Sequence, residues 1–139
     1  MEVVINWWAV ILATLSTMVV GTIWYSKSVF GKSWMKLIGK TDKDMAKNSA
    51  VRPILLTLVV SFITAYVLAH VTFLANHFFG NSFLQDALST AFWMWLGFTA
   101  ARIITHDAFE GRPMKLTWLT ISHELVTLLV MGLVIGLIH

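Results

Sequence analysis

The chain has 139 residues, of which 58% are hydrophobic and 12% are charged, and its net charge is +3. Soluble domains carry about 45–50% apolar and about 25% charged residues, so this composition excludes an ordinary water-soluble fold. The ten basic residues do not indicate a nucleic-acid-binding protein, because they are far outnumbered by apolar residues in runs of membrane length. The lack of cysteine excludes disulfide scaffolds and thiolate metal sites. The sequence predicts an integral membrane protein without nucleic acid, metal or cofactor.

Four apolar segments are long enough to cross the hydrocarbon core of a bilayer, which takes about 20 residues. In chain order they cover approximately residues 3–25, 53–73, 83–105 and 114–138. A polar break separates the second from the third, and Ser82 is expected to cap the helix that follows. The predicted fold class is therefore all-α: one transmembrane domain, residues 1–139, that forms an integral membrane four-helix bundle.

The two prolines of the chain lie in similar strings. Arg52-Pro53-x-x-Leu56-Thr57 opens the second span and Arg112-Pro113-x-x-Leu116-Thr117 opens the fourth. One interpretation is a duplication, with two parallel-repeat helical hairpins. The other is coincidence, because an interfacial arginine followed by a proline in the first helical turn is common in membrane proteins.

The connection between the first two spans, residues 27–52, is basic and amphipathic. Phe30, Trp34 and Leu37 share one helical face, whereas the lysines tend towards the other. This pattern predicts a segment that lies in the headgroup layer and is held by anionic lipids of the inner leaflet. The residues expected at this interface are Trp24, Tyr25, Lys32, Trp34, Lys36 and Lys40.

All basic residues of the chain fall in two regions, 27–52 and 102–115. Basic connections remain on the cytoplasmic side of a membrane. We therefore expect a multi-pass protein of the cytoplasmic (inner) membrane, N-out and C-out, with both basic connections in the cytoplasm.

Small residues recur at intervals of four in every span. These ridges are Ala9, Ala13, Thr17 and Gly21; Thr57, Ser61, Ala65 and Ala69; Gly97, Ala101 and Thr105; and Gly132 and Gly136. Such ridges allow helix backbones to approach closely, so they predict a tight bundle. We also expect a homo-oligomer, because an enclosed pathway needs more helices than one copy of this chain supplies.

Ionisable residues inside a span are candidates for function because their burial is costly. Glu124 lies inside the fourth span next to His123, and Arg102 and His106 lie towards the inner end of the third. With the neighbouring hydroxyls, the candidate polar intramembrane cluster is Arg102, His106, His123, Glu124, Thr120 and Thr99.

Two interpretations of this cluster remain open. In the first, it lines a cavity that binds a small ion or relays protons. In the second, Arg102 reaches the lipid phosphates, Glu124 bonds a neighbouring helix and the threonines bond their own backbone, which is the commoner outcome in helix bundles. Asp107 and Glu110 fall in a short charged connection and are expected to be solvated.

Several strings resemble a known family. Gly21-x-x-Trp24-Tyr25-Ser26 and Phe30-Gly31-Lys32-x-Trp34-Met35 resemble the first-loop signature of small bacterial membrane proteins grouped as domain of unknown function 1761. Phe109-Glu110-Gly111-Arg112-Pro113 resembles the second-loop pattern of that family. The resemblance implies a four-span inner-membrane protein and leaves its activity open.

The predicted function is that of a small accessory membrane protein, which binds membrane lipids or a partner membrane protein. An oligomeric proton or small-ion pathway through the Arg, His and Glu residues is the alternative. A membrane-embedded enzyme is a weaker alternative, because the sequence contains no nucleophile elbow, phosphate loop or metalloprotease motif. No residue is predicted to be catalytic.

Overall fold

The computed structural model describes residues 2–47 and 49–139, so residue 48 of the predicted basic segment lies outside the described residues. Over the described residues the chain is helical and contains no strand. The helices are α1 (Trp7–Trp24), α2 (Gly31–Leu37), α3 (Asp42–Lys47), α4 (Val51–Phe79), α5 (Phe83–Met94), α6 (Ala101–Glu110) and α7 (Met114–Ile138), with a π-helical segment, Trp95–Ala100, between α5 and α6. Within the described residues, four helices are long and apolar enough to span a membrane: Trp7–Trp24, Val51–Phe79, Phe83–Glu110 and Met114–Ile138.

The break between the second and third spans lies where helix-ending and helix-starting residues meet. Helix α4 continues past residue 73 and ends at Gly80, whose φ of 68° is the left-handed conformation that glycine adopts without strain. The predicted cap at Ser82 is confirmed, because its hydroxyl accepts a hydrogen bond from the backbone N–H of Gln85 at 3.3 Å.

The four spanning elements pack side by side in the order α1, α4, α5, α7, and α7 closes the ring against α1. The long connection 25–50 and the short connection 111–113 lie at one end of the bundle, which we call the basic end. At the opposite end, the Asn6 side chain caps α1 and its Nδ2 donates to the backbone carbonyl of Ile138 at 2.6 Å. This bond joins the first and last spanning helices.

The half of the bundle away from the basic end has a closely packed core. Val10, Leu68 and Met131 are almost completely buried there. Helix α7 approaches α5 so closely that a Cβ added at Gly136 would lie 2.8 Å from the Cα of Leu84. The Ala9–Thr17 part of the predicted ridge on α1, the ridge on α7, and the Ser61–Ala69 part of the ridge on α4 are accordingly buried between helices.

The predicted ridge of the third span is wrong. Gly97, Ala101 and Thr105 are exposed, and α5 packs through Ala87 and Ala91 instead. The cause is the π-helical segment, in which the Ala101 N–H bonds to the carbonyl five residues earlier. Such a turn holds an extra residue, and one residue of an α-helix corresponds to about 100° of rotation. Every side chain after the segment is therefore turned relative to a continuous α-helix.

The prediction that Asp107 is solvated is also wrong. Helix α6 extends to Glu110, and its Asp107 is buried against α7, where it accepts a hydrogen bond from Thr117 Oγ1 at 2.7 Å. Arg112 Nε lies 3.8 Å from Asp107 and 2.7 Å from the exposed Glu110. The connection at 111–113 is thus held by one buried and one exposed carboxylate.

A second buried carboxylate, Asp86, was not anticipated from the sequence. It lies in the first turn of α5 and accepts hydrogen bonds from Asn76 Nδ2 at 2.8 Å and Asn81 Nδ2 at 2.9 Å. These bonds satisfy the buried charge and connect α4 to α5. Asp86 therefore has a structural role.

Candidate functional site

A cavity of about 670 Å³ lies between α1, α4 and α7 in the half of the bundle near the basic end; we call it the main cavity. One group of its lining residues carries hydroxyls: Thr17, Thr22, Tyr25, Thr57, Ser61, Thr64, Thr99 and Thr127. A second group is apolar: Met18, Ile54, Leu56, Val60, Leu128 and Met131. His123 and Glu124 complete the polar part. The main cavity is therefore amphipathic.

The helix period explains why these polar groups face the same space. Thr57, Ser61 and Thr64 are spaced four and three residues apart on α4, and Glu124 and Thr127 are spaced three apart on α7. Residues at such spacings lie on one face of a helix. Each helix thus presents a polar stripe to the main cavity in an otherwise apolar sequence.

The main cavity is closed at one end and accessible from the side. The packed core around Val10, Leu68 and Met131 separates it from the opposite end of the bundle. The third span contributes only Thr99 among the described lining residues, and the first turns of α4, residues 51–57, are exposed. Helices α4 and α6 make almost no contact with each other, so we place the opening of the main cavity between them. Through it, the Glu124 side chain is 36% exposed.

His123 and Glu124 form the centre of the polar part. His123 Nδ1 lies 3.3 Å from Glu124 Oε1, and the imidazole ring packs against the ring of Tyr25 at 5.0 Å and that of Trp24 at 5.8 Å between centroids. His123 Nε2 is buried and has no hydrogen-bond partner among the described residues. It faces Gly21, where an added Cβ would lie 3.9 Å away.

Three of the lining hydroxyls on α1 and α4 are engaged with their own helices. Thr57 donates to the Pro53 carbonyl at 2.7 Å, and Thr64 donates to the Val60 carbonyl at 3.0 Å. Thr17 makes a similar bond to a carbonyl of α1 at 2.7 Å. Because each hydroxyl has one proton, these oxygens have only lone pairs left for the cavity.

On α7, Thr127 differs from these threonines. Its side chain is buried, and its Oγ1 has no hydrogen-bond partner among the described residues. A buried polar atom without a partner costs free energy, so such an atom in a cavity wall indicates a place where a ligand or water completes the bonding.

Tyr25 connects the main cavity to the basic segment. It follows the last residue of α1, and burial together with the negative charge of Glu124 raises the pKa of its phenol. Its ring also contacts the ring of Trp34 on α2 at 5.1 Å between centroids. The first helix of the basic segment therefore packs on the residues that surround the cavity.

The structure brings some members of the predicted polar cluster together and separates others. Thr99, His123 and Glu124 line the main cavity. Arg102 and His106 are exposed, and neither has an ion-pair partner among the described residues. The π-helical segment accounts for this difference, because it turns them away from the face that carries Trp95.

Thr120, a further member of the predicted cluster, behaves as the structural interpretation expects. Thr120 donates to the Leu116 carbonyl of its own helix at 3.0 Å and does not line the main cavity. Trp95 uses its Nε1 to donate to the Ile121 carbonyl of α7 at 2.8 Å, which connects the π-helical segment to the helix that carries His123.

The residues predicted at the membrane interface divide into two groups. Trp24, Tyr25 and Trp34 are half-buried near the main cavity. Lys32, Lys36 and Lys40 are exposed on and after α2. Lys27, in the same connection, forms an ion pair with Asp42 at 2.9 Å. The aromatic residues therefore contribute to packing within the protein, and the three lysines of the second group remain accessible.

Sequence reasoning missed the contribution of α4 to the site. The packing ridge predicted on α4 includes Thr57 and Ser61, and no predicted site or ridge includes Thr64. The signal was present as three hydroxyls on one helix face, but small residues for packing and hydroxyls for a cavity have the same spacing. Only the separation of α4 from α6 in the structure shows that these hydroxyls line a cavity and do not pack against another helix.

The potential for metal binding is limited in the described part of the chain. No three His, Asp or Glu side chains come together there in an arrangement that could hold a metal ion. A second cavity, of about 520 Å³, lies at the opposite end and includes Asn6, His77 and His139 in its lining. Two of the unpartnered buried atoms, His123 Nε2 and Thr127 Oγ1, belong to residues that line the main cavity, which is therefore the candidate site.

Comparison with known proteins identifies the family. Residues 8–136 match the model of a family described as protein of unknown function (DUF1761). No curated protein and no solved structure matches the chain. The match covers nearly all of the bundle, including every residue of the main cavity named above. The chain therefore belongs to the DUF1761 family, as its two loop motifs predict.

Proposed function

We propose that the protein binds one lipid-like molecule, with the polar group of that molecule beside His123 and Glu124 and its apolar part directed towards the membrane. The observation that carries this proposal is the main cavity itself: a space of about 670 Å³ with polar groups inside, apolar walls and a lateral opening. This is the lipid-binding form of the accessory role predicted from the sequence.

The dimensions support a ligand of this kind. Ligand sites in proteins have volumes of about 300–1,000 Å³, with apolar walls and a few polar groups that orient the ligand. A phospholipid is too large to be enclosed, but its headgroup region fits while its chains extend between α4 and α6 into the bilayer. A water-soluble ligand would gain nothing from an opening on the lipid side.

The alternative function, a proton or small-ion pathway, needs a continuous polar route. The core around Val10, Leu68 and Met131 interrupts any such route in one copy of the chain. A pathway would therefore have to run between copies in an oligomer, and it would start from His123 and Glu124. A membrane-embedded enzyme remains the weaker alternative, and we assign no catalytic residue.

The proposal includes the membrane setting predicted from the sequence. The protein lies in the inner membrane with its basic end in the cytoplasm, and Lys32, Lys36 and Lys40 contact anionic lipid. Self-association would use exposed surfaces such as the face with Gly97 and Ala101. A partner membrane protein would bind at the same kind of surface.

The test is to fill the main cavity and count retained lipids. A Gly21→Leu side chain would extend towards His123, whereas Gly97→Leu places the same side chain where nothing lies within 4 Å of an added Cβ. Protein released from nanodiscs of equal parts phosphatidylethanolamine and phosphatidylglycerol is analysed by native mass spectrometry. We expect one tightly retained lipid on the wild type and on Gly97→Leu. On Gly21→Leu we expect the lipid occupancy to be at least tenfold lower. A tenfold change corresponds to about 1.4 kcal/mol of binding free energy, which is the order expected from the loss of a well-packed ligand contact.

Two results would contradict the proposal. One is a wild type that retains no lipid under conditions in which the bundle stays folded. The other is equal retention by the wild type and Gly21→Leu, because the retained lipid would then lie outside the main cavity.

A further inference from the structure

We propose that the main cavity selects molecules whose polar group is a protonated amine, held by the Glu124 carboxylate and His123 Nε2. This inference rests on the proposed function and specifies its ligand class. Its basis is the one carboxylate of the main cavity, the unpartnered Nε2 of His123 and the aromatic ring of Tyr25, with no lysine or arginine among the described lining residues.

With Glu124 ionised and His123 neutral, the charge inside the main cavity is negative. Glu124 carries the single carboxylate among the described lining residues, and none of these residues is lysine or arginine. An ionised carboxylate only accepts hydrogen bonds. One of its oxygens faces His123, and no described side chain bonds the other. A ligand with N–H donors and a positive charge is complementary to this oxygen.

His123 adds a second acceptor. Nδ1 lies 3.3 Å from Glu124 Oε1, so the neutral tautomer that donates to an ionised Glu124 is the one with its proton on Nδ1. In that tautomer Nε2 has a free lone pair. This atom is buried without a partner, so it requires a donor from outside the described residues.

Three of the lining hydroxyls are also available as acceptors. Thr17, Thr57 and Thr64 already donate to carbonyls of their own helices, so they offer lone pairs to the main cavity. Thr127 Oγ1 is unpartnered and more than nine-tenths buried. Its hydroxyl can accept from a ligand as readily as it can donate.

The aromatic ring of Tyr25 also favours a cation. The ring lines the main cavity beside the imidazole of His123. The faces of aromatic rings attract ammonium groups within about 6 Å, most strongly where water is excluded. A phosphate or carboxylate placed here would meet the negative charge of Glu124 without a lysine or arginine to offset it.

The experiment compares three amphiphiles that differ only in their polar group. Protein in neutral dodecyl maltoside micelles is titrated with dodecylammonium, dodecanol and dodecyl phosphate, and bound protein is quantified by native mass spectrometry. We expect the wild type to bind dodecylammonium at least about tenfold more tightly than either other probe, as a charge-assisted hydrogen bond provides.

Substitutions then locate the interaction. Glu124→Gln should lower the affinity for dodecylammonium by about tenfold or more and leave the affinity for dodecanol unchanged. Glu124→Asp keeps the charge and should retain the preference for the amine. Glu110→Gln is the matched control, because Glu110 is exposed at the basic end and outside the main cavity. Circular dichroism of each variant confirms that the helices are retained.

A second experiment, in nanodiscs, shows whether the amine belongs to a membrane lipid or to a free amphiphile. If phosphatidylethanolamine is retained in preference to phosphatidylglycerol, the ammonium belongs to a membrane lipid. If neither lipid is preferred while dodecylammonium still binds through Glu124, the ligand is a free amphiphilic amine. Both results support the ammonium site.

The outcomes also separate this inference from the proposed function. Equal affinity for dodecylammonium and dodecanol, or an unchanged preference in Glu124→Gln, would refute the ammonium site, although lipid binding in the main cavity would stand. If none of the three probes binds and Gly21→Leu has no effect on lipid retention, both proposals fail.

Discussion

The neighbours of His123 decide which of its ring nitrogens can bind a ligand. The sequence places it beside Glu124, but adjacent residues point about 100° apart on a helix, so adjacency alone does not predict contact. In the structure the imidazole turns towards Glu124 at one nitrogen and towards Gly21 at the other. The glycine on α1 provides the space that leaves Nε2 available.

Asp107 leads to a prediction at the scale of a single bond. Its carboxylate is buried and accepts a hydrogen bond from Thr117 Oγ1 at 2.7 Å. Thr117→Val keeps the shape of the side chain but removes this donor. We expect the free energy of unfolding to fall by about 1–3 kcal/mol, the cost of leaving a buried acceptor without its partner. Thermal or denaturant unfolding in dodecyl maltoside measures the change.

Thr105→Val is the matched control for this prediction. Thr105 is exposed and donates only to the Ala101 carbonyl of its own helix at 2.8 Å. Its replacement should change the free energy of unfolding by less than about 0.5 kcal/mol. Equal destabilisation by the two substitutions would mean that the Asp107–Thr117 bond contributes little.

At the scale of elements, the π-helical segment has the largest effect on the candidate site. It divides the third span into α5, which packs through small residues, and α6, which turns Arg102 and His106 outward. The bond from Trp95 to the Ile121 carbonyl holds this segment against α7. π-Helical turns frequently occur at functional sites. Here the turn leaves Thr99 as the lining residue from the third span.

The close contact between α5 and α7 gives a prediction for helix packing. A Cβ at Gly136 would lie 2.8 Å from the Cα of Leu84, so the helices must separate to accommodate Gly136→Ala. We expect a loss of about 1–3 kcal/mol in the free energy of unfolding, as for other overpacked contacts. Denaturant titration followed by circular dichroism measures it.

Gly97→Ala is the control for this substitution. Nothing lies within 4 Å of a Cβ added at Gly97. We expect no loss of stability in the monomeric protein, and a gain of up to about 1 kcal/mol from the higher helix propensity of alanine. If Gly136→Ala is as well tolerated as Gly97→Ala, the α5–α7 contact is looser than the structure indicates.

For the whole molecule, the decisive prediction concerns orientation. The Asn6–Ile138 hydrogen bond places the start of α1 and the end of α7 at one end, and the basic connections lie at the other. Alkaline phosphatase, which folds only outside the cytoplasm, should be active when fused after Ile138. Fused after Lys40, it should be inactive, because we expect a basic connection to stay on the cytoplasmic side.

A green fluorescent protein fusion at the same two positions provides the complementary readout, with fluorescence expected after Lys40 alone. The reverse pattern would place the main cavity in the outer half of the bilayer. The ammonium site could then still exist, but the contact of the lysines with anionic inner-leaflet lipid could not.

The architecture was predictable because it depends on properties that add up along short, contiguous segments of the chain. The length of an apolar run decides whether a helix crosses the bilayer, and Gly80 and Ser82 mark a helix end and start by their own backbone and side-chain chemistry. The candidate site was predictable only in part. Glu124 and His123 stood out because ionisable residues are rare in spans, whereas Thr57, Ser61 and Thr64 resembled ordinary packing residues.

The sequence by itself determined that the chain is a four-span helical membrane protein of the DUF1761 family, because span length, composition and motifs are properties of contiguous residues. Tertiary structure decided which polar groups meet. The π-helical segment rotates the residues that follow it, and α4 separates from α6 to leave the main cavity open. Both depend on contacts between helices far apart in sequence, and a helical period read along one segment contains no information about them.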